Sequence, residues 1–243
     1  MVLQEQLGHF QTKYFFKYFM QENISKIKEF VNTVFTEICA SKSISDLEKI
    51  LDKRGVENKY RIKTNDYPRI EFKITIEEIQ NIENETFIID NIFNHDKIAQ
   101  NDNTIVKLLY AMAWKNGDLK KIRHIIQGIK DVDETSSEKN DGLVFYQFGK
   151  YLTKKKGEPI IDQHVLRAFK VYRTDLNNIC DIKKSRNLTI IGKNEKALII
   201  DYKNWLISEA ISDELKKVTD YAYHIDKILF AVGKKIKLKN NEK

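Results

Sequence analysis

Backbone punctuation is the strongest constraint on this chain: 243 residues carry only two prolines and nine glycines. Prolines and glycines mark turns, and a turn-rich β fold needs many of them, so their scarcity favours long helices. Hydrophobic residues make up 42% of the chain, enough to build a core within one large domain. No internal repeat is visible. The only biased tract is the lysine-rich end, with Lys234–Lys239 inside it.

The apolar spacing then places the elements. Residues 22–40 carry Ile24, Ile27, Phe30, Val31, Val34, Phe35 and Ile38 at helical intervals. Ser45 with Glu48, and Thr75 with Glu78, have the spacing of capping boxes that open helices. Ile70, Phe72 and Ile74 alternate with Glu71 and Lys73, so a short strand or hairpin is expected within 60–74. The polar run 94–103 is the expected lobe boundary. Beyond it, helices are expected over 104–115 with Gly117 as the stop, over 119–129 behind Asp118 and ended by Gly128, and over 143–155. Further helices are expected after Asp162, over 195–211, and over 213–232 with Gly233 as the stop. LTIIG at 188–192 is expected to be a short extended piece. The expected fold is mostly α with a small β element. It divides into an N-terminal helical lobe over 1–100, a helical region over 101–234 and a basic tail over 235–243.

Charge narrows the partners. Lys and Arg outnumber Asp and Glu by seven, and the pI is about 9.1. Such a surplus suits a polyanion. Cys39 and Cys180 lie in apolar stretches and read as buried thiols of a reducing compartment, too few for a cysteine-held cluster. His9, His95, His124 and His224 lack metal-ligand spacing, so no metal and no cofactor is expected. No apolar run reaches the roughly 18 residues of a membrane span, and the N-terminus lacks the order of a signal peptide. A cytoplasmic monomer with no membrane partner is the expectation.

Four segments carry a resemblance: WKNGDL (114–119), FYQFGKYL (145–152), EPIIDQHVLRAF (158–169) and HIDKILFAVGK (224–234). Together, over roughly 104–234, they resemble the helix-hairpin-helix DNA glycosylase superfamily, in particular its divergent branch similar to 8-oxoguanine glycosylases. The run Ile161-Asp162-Gln163-His164-Val165 with Arg167 matches the family's hydrophobic–Asp–x–x–Val–x–Arg pattern. The resemblance implies a two-lobed helical globule that binds double-stranded DNA and hydrolyses the N-glycosidic bond of a modified or damaged base, in base-excision repair or anti-phage defence. It makes Asp162 the catalytic carboxylate, stabilising positive charge on the sugar or orienting water. The usual Gly-x-Gly hairpin is absent, and Gly142, Leu143 and Val144 stand where strand-cleaving members carry a lysine. A monofunctional enzyme is therefore implied.

Such an enzyme flips a base into a pocket, for which Trp114, Tyr146, Gln147, Gln163 and His164 are candidates. Lys115, Lys120, Lys121, Arg123, Lys150, Lys154, Lys155, Lys156 and Arg167 are candidates for the DNA backbone, and Lys183, Lys184 and Arg186 form a further basic group. Two other readings stand beside this one: a non-catalytic nucleic-acid-binding module of the same fold, and a protein-interaction subunit whose basic surface is merely solvated.

Overall fold

The computed structural model describes residues 23–134 and 141–238. Twelve α-helices and one two-stranded hairpin are the main elements among the described residues. In chain order they are α1 (23–40), α2 (Ile44–Lys53), α3 (Ile76–Asn84), β1 (Ile88–Ile89), β2 (Ile92–Phe93), α4 (His95–Gln100), α5 (Thr104–Lys115), α6 (Ile122–Lys130), α7 (Leu143–Leu152), α8 (Gln163–Arg173), α9 (Ile179–Arg186), α10 (Lys196–Ile207), α11 (Asp213–Lys216) and α12 (Tyr221–Lys235). The mostly helical expectation with a small β element holds.

The β element is not where alternation placed it. It is an antiparallel hairpin pairing Ile88 with Phe93 and Ile89 with Ile92. Residues 61–75 instead form a non-helical strap. A strand would turn residues 70, 72 and 74 to one side. Here Ile70 and Ile74 pack beside Tyr151 and Leu152, whereas Phe72 is exposed. The strap bonds to the end of α7, Ile74 N–H donating to Leu152 O at 2.9 Å. The LTIIG segment is likewise unpaired coil.

The Thr75–Glu78 capping box forms as expected, opening α3. The box at α2 belongs to Ser43 and Asp46, two residues before the expected pair. Starting α2 at Ile44 turns Leu47, Ile50 and Leu51 into the core. The expected 213–232 helix is broken: α11 stops at Lys216, and α12 starts behind Asp220, whose φ is 58°. The expected boundary run 94–103 contains α4.

The main core draws on both ends of the chain. Val31, Val34, Phe35 and Ile38 of α1 and Leu47 and Ile50 of α2 bury against α8, α10 and α12. Phe35 stacks on Tyr172 with centroids 3.9 Å apart and meets Trp205 at 5.1 Å, an aromatic centre that fixes α1 on α8. Lys28 of α1 donates to Val171 O at 3.0 Å and to Tyr172 O, answering carbonyls left open near the C-terminus of α8. A second cluster joins Ile79 of α3, Ile88 of β1, and Ile126 and Ile129 of α6.

Two glycines expected to end helices instead lie inside them. Gly128 faces α7: a Cβ there would sit 2.0 Å from Tyr146 O, and one on Gly149 would sit 2.1 Å from Ile125 O. α6 and α7 therefore touch backbone to backbone. Gly233 lies within α12 against α8, where a Cβ would meet His164 O at 1.9 Å.

Candidate nucleic-acid interface

Asp162 is the N-cap of α8. Its Oδ1 accepts from His164 N–H at 2.7 Å and Val165 N–H at 2.8 Å. Burial raises its pKa, and those two backbone donors pull against the rise. Arg167, which completed the motif, is wholly buried. It donates to Gly233 O at 2.8 Å, to Leu188 O and towards His164 Nδ1 at 2.7 Å. Burial lowers its pKa to about 10. A guanidinium so placed ties α8 to α12 and to the 188 segment, and it does not reach a DNA surface. His164 lies edge-on to Phe230, and burial, then the charge of Arg167, lowers its pKa to about 4.

The remaining pocket candidates do not converge. Trp114 is exposed on α5, a helix with no buried residue. Tyr146 is buried and donates to Asp131 at 3.0 Å. Gln147 is buried and donates to Glu158 at 2.7 Å and Pro159 O at 3.3 Å, meeting its amide's need for partners inside the fold. Gln163 is half-buried in the first turn of α8.

The basic candidates divide by burial. Lys150 is buried, donates to Glu134 O at 2.7 Å and has its pKa lowered by desolvation. Like Arg167, it is no surface contact. Lys115 and Lys120 are exposed. Lys121 pairs with Asp118, and Arg123 with Asp141 at 3.3 Å. Of the third basic group, Arg186 is buried and donates to Ile236 O at 2.8 Å. Of the tail, Lys234 and Lys235 lie in α12, while Lys239 falls outside the described residues.

Lys154, Lys155 and Lys156 share one place with two lysines that no sequence motif singles out, Lys216 and Lys217. They line a cavity of about 190 Å³ between the α7–α8 loop and the start of α12. The backbone bends sharply there, with Lys154 at φ 57°, Gly157 at 81° and Asp220 at 58°. The cavity's carboxylates are already neutralised from within. Asp220 accepts from Arg69 of the strap at 2.7 Å and lies 3.5 Å from Lys154; Glu158 pairs with Lys203 at 2.8 Å. Lys154 also donates to Ile70 O and to the Tyr151 hydroxyl at 3.0 Å, so it holds the strap against α7. Lys155 bonds to Val132 O and Asp133, and Lys216 to Ser208 O and Asp213. Lys156 and Lys217 stand exposed at the rim. The carboxyl of Asp213 nearby is held below its usual range by Lys216, and the charges of Lys217 and Lys156 add to that. The strap, tied to this cavity through Arg69 and Ile70, exposes Lys63, Tyr67, Phe72 and Lys73 elsewhere along its length. Lys156 and Lys217 give the rim its outward-facing positive charge. Lys216 and Lys217 lie far from 154–156 in sequence, and only the fold joins them.

The two cysteines differ. Cys39 in α1 is half-buried and its thiol pKa is raised by that burial; Cys180, expected to be buried, is exposed in the first turn of α9.

No helix among the described residues is long and apolar enough to cross a membrane. No curated protein and no solved structure matches the chain. A family model does match: methylated DNA-protein cysteine methyltransferase, N-terminal, over residues 20–90, under a third of the chain. The matched stretch includes the described part of α1, all of α2 and α3, and the strap. This match overturns the resemblance to helix-hairpin-helix glycosylases, and with it base excision as the activity. Residues 20–90 are similar to the N-terminal part of a methylated DNA-protein cysteine methyltransferase.

Proposed function

We propose that this chain is a DNA-binding protein of alkylation repair that holds duplex DNA by its phosphates on the lysine-rim surface. The observation that carries the reading is the placement of exposed Lys156 and Lys217 on the rim of one cavity, beside Lys155 and Lys216, which are ion-paired to Asp133 and Asp213. Lysines bind phosphate as point charges, with little demand on geometry. The match over 20–90 supports DNA as the polyanion, because the matching family acts on methylated DNA. It also brings the strap, which lies against the same surface, into the matched segment.

Methyl transfer to a cysteine needs a thiolate nucleophile. Burial raises the pKa of Cys39, the cysteine inside the matched segment, so it is a poor acceptor. DNA engagement is therefore the proposed role, without Cys39 as the methyl acceptor. The test is fluorescence anisotropy with unmodified duplex and with duplex treated with a methylating agent, followed by intact-mass analysis of the protein. The expected result is a Kd near or below about 1 µM at about 50 mM salt, weakening steeply with added salt, and no methyl gained at Cys39. Absence of binding at that salt would contradict the reading. A methyl on Cys39 would contradict its second part.

A further inference from the structure

α5 is the most apolar exposed element of the fold. Ile105, Leu108, Leu109 and Met112 follow i, i+3, i+4, i+7 spacing, the pattern of a helix face meant for burial, yet each is between 60% and 66% exposed. The face that α5 does turn inward carries Tyr110, which meets Phe93 and His95. Trp114 points away from the four-residue stripe, by the 100° that each residue turns a helix. A contiguous stripe of this kind presents roughly 400–500 Å² of apolar surface, the scale of patches that mark interaction sites.

We propose that this stripe pairs with itself, joining two copies of the chain through antiparallel α5 helices. Area fits a second copy held weakly: two such stripes present roughly 800–1,000 Å² together, at the low end of the sizes of specific and transient interfaces. The spacing is self-complementary, as a two-fold contact requires. With the axis between Leu108 and Leu109, Ile105 of one copy lies across from Met112 of the other, and the leucines surround the axis. Charge selects the direction. α5 carries Lys107 and Lys115 and no carboxylate, while exposed Asp102 stands just before its N-cap, Asn103. Antiparallel pairing brings the Lys115 end beside the Asp102 end and opposes the two helix dipoles; parallel pairing would set Lys115 beside Lys115. The monomer expected from the sequence gives way to a dimer in this proposal.

The full chain, without DNA, tests it by sedimentation velocity up to about 100 µM, since dimer populations follow concentration. The expected species has twice the 28.7 kDa chain mass. Leu108→Glu should return it to the single-chain mass with unchanged circular dichroism, because Leu108 makes no buried contact within one copy. Register is read from single cysteines added to a Cys39→Ser, Cys180→Ser background. Leu108→Cys, near the axis, should form a linked dimer on oxidation. Ile105→Cys should not, because the two 105 positions are separated by about 10 Å along the helix axis at 1.5 Å per residue. A wild-type protein that stays at single-chain mass overturns the proposal, as does a Leu108→Glu variant that still dimerises. Linking at 105 in preference to 108 overturns the register.

Discussion

Asp226 is buried beneath the segment that leads into α8. Its carboxyl accepts from Ile160 N–H at 2.7 Å and from the Tyr202 hydroxyl at 2.7 Å, and burial pushes its pKa up to about 8. A carboxyl that stays protonated in the folded state, while the unfolded chain ionises near the ordinary value, loses stability as pH rises. Its contribution is full below pH 4 and declines up to about pH 8, where the folded form ionises too. Asp226→Asn keeps an acceptor for Ile160 and removes the titration. The variant should therefore gain on the wild type with rising pH, at up to about 1.4 kcal/mol per pH unit, read by urea unfolding at pH 6, 7 and 8 as ~1-unit steps through the titration. Asp162 makes a simpler case. Asp162→Ala should cost about 1 kcal/mol, the usual worth of an N-cap, seen as a lower melting temperature with DNA binding retained. Asp162 was legible as a helix start from its place before QHVLRAF, and that much the fold bears out. A sequence motif does not reveal burial, however, and Arg167 spends its donors on carbonyls brought close by α12 and the 188 segment.

At the scale of elements, local chemistry was readable and contact chemistry was not. Thr75 and Glu78 reach each other within one turn, so their capping box was visible in the sequence. Gly117, at φ 71°, ends α5 as expected because a stop is also a local event. Gly128 and Gly233 carry the same letter for a different reason: each removes a side chain where another helix's backbone passes. Gly149→Ala is the clean test. Its Cβ would fall 2.1 Å from a backbone carbonyl, which cannot rotate away. The α6–α7 pair should open, at a cost of about 3 kcal/mol or more, measured by urea unfolding. Gly192→Ala, where the nearest atom is 4.0 Å away on a side chain, should cost far less. The stripe on α5 marks the reverse limit: an amphipathic pattern says that a face is to be covered, not that the same chain covers it.

Across the whole molecule, the surplus of seven positive charges was legible from composition, and it pointed to a polyanion. Which lysines face outward was not, because Lys150 is buried and Lys216 and Lys217 join Lys154–Lys156 only where the end of α11 meets the α7–α8 loop. Duplex DNA held on this rim is the proposed role. The most direct measurement is the salt dependence of duplex binding by wild type and by the Lys156→Glu, Lys217→Glu double variant. Both substitutions lie on exposed side chains, so folding should be unaffected. The double variant should bind more weakly at every salt concentration, with a log–log slope reduced by about 2, one for each phosphate that it no longer neutralises. A double variant that binds with the wild-type affinity and slope would contradict it.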